Sequence, residues 1–242
     1  MEIKIENLTK KIRGTIVLDN INITFKSGNI YGLSGKNGSG KTMLMRCICG
    51  LIRYNSGSIR IGDKLLGKDI SFPPSIGVLI ENPTFIPKYR GFKNLQMLAS
   101  IQNKIRDEDI RQILTDIGLD PNDKRTYRKY SLGMKQRLGI ACALMEKPDI
   151  ILLDEPINAL DETGVYLVKD LLIKARSQGA IIIISCHDKE ELEFLSDEIY
   201  CLSNGKIVDH KVLEKNKNFD SSSQSSTVEN NSESKGVLSD EI

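Results

Sequence analysis

The chain has no apolar run that approaches the roughly 20 residues a membrane-spanning helix needs, although it is 242 residues long. It also has almost no charge imbalance. Its 34 basic and 32 acidic residues leave a formal net charge of +2, which removes any global electrostatic case for binding nucleic acid. An even cysteine framework is missing too. The five cysteines, Cys47, Cys49, Cys142, Cys186 and Cys201, lie in apolar runs. Cys47 and Cys49 are two apart on an expected helix and so point to different sides. All five read as reduced core residues of a cytosolic protein, not as disulfides or metal ligands. No secretory leader is expected, since Met1-Glu2-Ile3-Lys4 reads directly as a strand pattern. Any membrane role must therefore come through a partner. What remains is an ordinary globular composition, long enough for one large domain or two small ones.

Against that background one stretch carries chemistry. Gly35-Lys36-Asn37-Gly38-Ser39-Gly40-Lys41-Thr42 fits the phosphate-cradling pattern G-x-x-x-x-G-K-[ST]. Glycines let backbone N–H groups wrap phosphate oxygens, and the following helix turns its positive end to the same oxygens. Lys41 is placed to reach the β- and γ-phosphates, and the Thr42 hydroxyl to ligate Mg²⁺. The context agrees: residues 28–34 read as a short buried strand and residues 43–49 as a helix.

Alternation in Ile3, Ile5, Leu8 and in Ile21, Ile23, Phe25 predicts a half-buried antiparallel sheet before that loop. A short strand follows between turns in residues 55–63, then a buried strand over residues 76–81, closed by Asn82-Pro83. From about Pro83 to Pro148 strand runs vanish and helical periodicity takes over. Leu95, Leu98, Ala99, Ile101 and Ile105 mark one helix; Ile110, Ile113, Leu114 and Ile117 mark the next, with Asp107 as N-cap and Gly118 as the stop. Continuous apolar strands return in residues 150–154 and 180–184, joined by a crossover helix over residues 163–177. A closing pair of strands flanks Asn204-Gly205. Residues 216–242, rich in Ser, Asn, Asp and Glu, cannot bury enough apolar surface to offset ordering entropy and are expected to form a disordered tail.

The strand Ile150-Ile151-Leu152-Leu153 runs into Asp154-Glu155. Nucleotide hydrolysis needs a carboxylate for Mg²⁺ and a base to orient water, and a buried strand tip beside the phosphate loop supplies both. Asp154 is assigned to the metal and Glu155 to the water.

Together, the phosphate loop, Leu-Leu-Asp-Glu-Pro, the helical insert and the downstream His187 resemble the nucleotide-binding domains of ATP-binding cassette transporters. The resemblance covers about residues 1–215. It implies an α/β fold, a P-loop NTPase of cassette type: a mostly parallel core sheet (1–82 and 148–215), an N-terminal antiparallel β subdomain and an all-helical insert (83–147). Tyr130-Ser131-Leu132-Gly133-Met134-Lys135-Gln136-Arg137 stands where the family carries Leu-Ser-Gly-Gly-Gln, which caps the γ-phosphate of ATP on the other subunit. Ser131 and Gly133 match; Leu132 and Met134 depart from it. The resemblance assigns Gln136 to the same nucleotide contact, Asp161 to the loop along the subunit interface, and His187 to the transferring phosphate. Glu81 stands where the family has a Gln that approaches Mg²⁺, and Ile12 where an aromatic stacks on adenine, which implies weaker discrimination among nucleotides. Glu81 together with the altered signature is most similar to the bacitracin-resistance and lantibiotic-immunity exporters.

The resemblance thus implies an ATPase using ATP and Mg²⁺, working as a homo- or heterodimer on the inner face of the cell membrane. A separate permease would dock near residues 81–90, and the cargo would be an antimicrobial peptide or related amphiphile. Two other readings stay open at this point: a soluble ATP-driven switch on ribosome or DNA, and a weakly hydrolysing regulatory subunit.

Overall fold

The computed structural model describes residues 1–213; the expected tail, 216–242, lies outside the described residues. Strands β1 (Glu2–Ile12) and β2 (Thr15–Lys26) form an antiparallel hairpin that turns at Arg13-Gly14. Their alternation buries Ile3, Ile5 and Leu8 opposite Phe25, Ile23 and Ile21, with Leu18 buried further along β2. Adding β4 (Ser56–Ile61) and β5 (Lys64–Leu65) gives a four-stranded sheet in the order β2-β1-β4-β5.

The second sheet has six strands in the order β10-β9-β3-β8-β7-β6. Its members are β3 (Asn29–Ser34), β6 (Ile76–Leu79), β7 (Ile150–Asp154), β8 (Ile181–Ser185), β9 (Glu198–Ser203) and β10 (Lys206–Val212). All neighbouring pairs are parallel except β9 with β10, which turn through Asn204-Gly205, both at positive φ. Strands β7 and β8 are fully buried because the sheet is covered on both sides. Their pleat separates two cores. Ile150, Leu152, Ile181 and Ile183 join the core beneath the antiparallel sheet; Ile151, Leu153, Ile182 and Ile184 join the core beneath the helices.

Helix α1 (Lys41–Ile48) follows β3. Helices α2 (Gly91–Gln102) and α3 (Asp107–Asp116), a 3-10 turn at Tyr127–Lys129 and α4 (Leu132–Leu144) all lie between β6 and β7. Helix α4 sits close on the sheet: a Cβ built on Gly77 of β6 would fall 1.8 Å from the Ala143 carbonyl oxygen. Helix α5 (Glu162–Ser177) then crosses to β8. The architecture is the α/β arrangement described above: a mostly parallel core sheet, an antiparallel β subdomain and a run of helices between strands.

Three local expectations need correction. The N-cap of α3 is Arg106, not Asp107; the Asp109 carboxylate accepts the Arg106 backbone N–H at 2.9 Å, so the acid three residues on sets the start. Strand β6 stops at Leu79, and Glu81 has a φ of 64°, which no extended strand accommodates. A further helix, α6 (Lys189–Leu195), was not anticipated. Asp188 caps it, accepting from the N–H groups of Glu190 and Glu191 at 2.8 and 3.0 Å. The signal was present as Asp followed by two acids in the first turn, but the helix has too few residues to show periodicity.

Candidate nucleotide and metal site

The loop over residues 35–40 is fixed by its packing. Gly35 has φ 140° and a Cβ there would meet the Leu202 carbonyl oxygen at 2.3 Å; Gly40 has φ 113° and its Cβ would press on Val17 and Leu18. Both positions need glycine on two counts, conformation and space. The loop's polar groups are held ready inside it. Ser39 is buried and its Oγ has no hydrogen-bond partner, which marks it as awaiting one. Lys41 is 6% exposed, and its Nζ donates to the carbonyls of Gly35 at 2.6 Å and Lys36 at 3.4 Å. The ammonium therefore sits folded under the loop with spare donor capacity.

Residues from the ends of β7 and β8 meet this loop. Thr42 Oγ1 donates to Asp154 Oδ2 at 2.6 Å, and the other Asp154 oxygen accepts from the Ser185 hydroxyl. The parallel register sets Asp154 of β7 directly beside Ser185 of β8. One residue further, Glu155 turns off the strand with φ 52°. Its backbone N–H donates to Ser185, and its carboxylate reaches His187: Oε1 lies 3.2 Å from Nε2, and Oε2 accepts the His187 N–H at 3.2 Å. Burial pushes the Glu155 carboxyl above the usual range, partly countered by His187. That direction makes the carboxylate a stronger proton acceptor than an exposed one.

Val17, Asn37, Gly38, Ser39, Gly40, Lys41, Thr42, Met43, Asp154, Glu155 and His187 line one cavity. Gly35 and Lys36, at the start of the loop, border a neighbouring cavity with His187. The structure thus brings the phosphate loop, both strand-end acids and the histidine together.

The other expected site residues stand elsewhere. The Glu81 side chain is 67% exposed and ion-paired with Arg46 of α1, one turn beyond Thr42. Ser131 caps α4, its Oγ accepting the Met134 N–H at 3.2 Å. Gly133 packs so that a Cβ would meet the Ala159 carbonyl oxygen at 2.8 Å. Asp161 caps α5, accepting from Gly164 N–H at 3.1 Å, and pairs with Arg137, whose guanidinium lies 2.5 Å away. Gln136 faces the opposite way from the one expected. It is buried, and its Nε2 donates to the carbonyls of Glu155 at 3.0 Å and Pro156 at 3.1 Å. It braces the loop after β7 from within because position 136 lies a full turn into α4, against that loop, whereas Leu132, 65% exposed, stands at the open first position of the helix.

Three residues that matter here were not singled out from sequence. Ser185 ends an otherwise all-isoleucine strand, a polar intrusion that was the available signal. Arg46 and Arg137 gave none, since their partners are distant in sequence.

The donor set suits a hard cation: a hydroxyl and a carboxylate already in contact, with a second carboxylate beside them. Among the described residues no three His, Cys, Asp or Glu side chains are grouped to hold a metal by themselves. An ion here would therefore share its shell with phosphate oxygens and water.

Comparison with known proteins agrees with this geometry. The ABC transporter family model matches residues 18–158. The chain is 50% identical over 205 residues to an uncharacterized ABC transporter ATP-binding protein, YybJ of Bacillus subtilis, covering 85% of this chain and 94% of that one. It is 37% identical over 209 residues to the bacitracin transport ATP-binding protein BcrA of Enterococcus faecalis, covering 86% and 68%. It is 34% identical over 219 residues to the lantibiotic transport ATP-binding protein SrtF of Streptococcus pyogenes, covering 90% and 94%. Among solved structures, the dimeric bacterial ABC transporter cassette MJ0796 superposes with a TM-score of 0.79 at 24% identity, covering 88% and 99%. On its site, its fold and these relatives, the chain belongs to the ABC transporter family, as an ATP-binding subunit.

Proposed function

We propose that the protein hydrolyses ATP as one of two cassettes that drive a separate membrane permease, exporting an antimicrobial peptide or a related amphiphile. The observation that carries the catalytic part is the convergence of the unpartnered Ser39 hydroxyl, Lys41, the Thr42–Asp154 contact and the Glu155–His187 pair on one cavity. In this reading Gly35, Lys36, Asn37, Gly38, Ser39 and Gly40 bind phosphate through the loop, and Lys41 moves its ammonium from the loop carbonyls to phosphate oxygens. Thr42 and Asp154 hold Mg²⁺, which neutralises charge on the transferring group when bound. Glu155 orients the attacking water and His187 stays within reach of the same phosphate.

Ser131 and Gly133, at the exposed start of α4, are assigned to ATP on the facing subunit, with the loop ending at Asp161 along the interface. The dimeric state of the solved cassette MJ0796 supports that arrangement. Ile86 and Tyr89, apolar and about two-fifths exposed, support permease docking near residues 81–90. Among the described residues no helix is long and apolar enough to cross a membrane, which fits a subunit peripheral on the cytoplasmic face. The peptide cargo rests on the relatives BcrA and SrtF, named for bacitracin and lantibiotic transport.

The test is ATP turnover by purified protein. Wild type should release phosphate, Lys41→Ala should lose ATP binding, and Glu155→Gln should bind ATP while turning it over at least about 100-fold more slowly. Normal turnover by Glu155→Gln would remove Glu155 from the chemistry.

A further inference from the structure

The end of β6 brings a third carboxylate toward the site. Strand β6 ends at Leu79, paired with Leu153 next to Asp154, and two residues past that end Glu81 meets Arg46, one turn along α1 from Thr42. A triphosphate is repelled by every unneutralised acid near its cavity, whereas a divalent cation is attracted by it. Yet Glu81 does not line the cavity. Its backbone takes φ 64°, a left-handed conformation that a glutamate adopts only when its surroundings hold it there. The side chain lies against the Arg46 guanidinium. Arg46 follows Thr42 by four residues on α1, so both project from the same face of the helix.

We infer that Arg46 is a positioning residue that parks the Glu81 carboxylate, keeping it neutralised and outside the phosphate cavity until nucleotide and Mg²⁺ arrive together. The inference rests on the reading of the cavity as an Mg²⁺–ATP site. It gives a purpose to an ion pair that is two-thirds exposed on its acidic side and so adds little to stability. Arg46 makes nucleotide binding tolerant of an acid at position 81. With Arg46 neutralised, Glu81 is free to swing toward Asp154, where it opposes bare nucleotide and favours the metal-bound form.

The readout is the ratio of dissociation constants for the non-hydrolysable analogue AMP-PNP, measured by calorimetry in EDTA and in excess Mg²⁺. Arg46→Gln should raise that ratio about tenfold, the size of one added charge at partly screened range. Arg46→Lys should stay near wild type. In a Glu81→Gln background the same Arg46→Gln change should raise the ratio less than twofold. Equal rises in both backgrounds would overturn the inference, since Arg46 would then act as a simple attracting charge. An unchanged ratio, or equal weakening with and without Mg²⁺, would overturn it as well. Should Arg46→Gln fail to fold, Arg46→Met keeps the aliphatic stem and carries the same comparison. Wild-type protein that binds no AMP-PNP with Mg²⁺ would instead refute the nucleotide-site reading.

Discussion

Gln136→Leu separates two roles for the same residue. The glutamine stands in the stretch that resembles the signature, yet its amide donates two hydrogen bonds to the loop carbonyls of Glu155 and Pro156. Leucine fills nearly the same volume but donates nothing. Each lost bond is worth about 1 kcal/mol, and leaving buried acceptors unpaired adds to that, so a loss of about 2–3 kcal/mol is expected. For a domain of this size each kcal/mol shifts the melting temperature by about 2–4 °C, which predicts a fall of roughly 4–12 °C. The assay is calorimetric melting without nucleotide, where no partner site contributes. A melting temperature within about 1 °C of wild type, combined with loss of ATP-driven dimerisation, would refute the reasoning. The side chain would then act outward, on nucleotide held by the other subunit.

Two further outcomes follow from burial and exposure. Burial pushes the thiols of Cys47 and Cys142 up to about 11 and that of Cys186 up to about 12, so each stays protonated at pH 8 in the folded state, whereas an unfolded thiol, with a pKa of about 8.5, is partly ionised. Iodoacetamide should alkylate these three at least about 100-fold more slowly in native protein than in urea, and equal rates at any of them would contradict its burial. Ile12, 38% exposed at the end of β1, pairs across the hairpin with Thr15, two residues before Val17 of the cavity lining, and offers an aliphatic surface in place of a ring. Turnover of GTP should come within about fivefold of ATP at equal concentration, and a strong preference for ATP would count against that assignment.

How much of this was legible in the sequence depended on the range of the forces involved. The phosphate loop is a local signal: glycines at fixed offsets, an apolar strand before and a helix after. The strand ending in Asp154-Glu155 is equally local, because both faces of β7 are buried and every residue before the acids is apolar. His187 was legible only through its distance from those acids and the family resemblance. Register, in contrast, is a long-range property. Nothing near Ser185 announces that it will stand beside Asp154, nor near Arg46 that Glu81 will reach it across 35 residues. The inward face of Gln136 depended on where α4 packs against the loop after β7, which the weakly amphipathic sequence of that helix did not specify. Helix α6 escaped for the opposite reason: its cap was visible but its length was too short to confirm a period.

The central claim is that the cavity is half of a composite site, completed by Ser131 and Gly133 of a facing subunit. The most direct measurement is sedimentation of Glu155→Gln protein with Mg²⁺ and saturating ATP, alongside the same protein carrying Ser131→Arg. The account predicts that ATP doubles the mass of the first, with one nucleotide retained per chain, while the second stays monomeric and still binds ATP. A Glu155→Gln protein that binds ATP at full occupancy and remains monomeric under those conditions would contradict it.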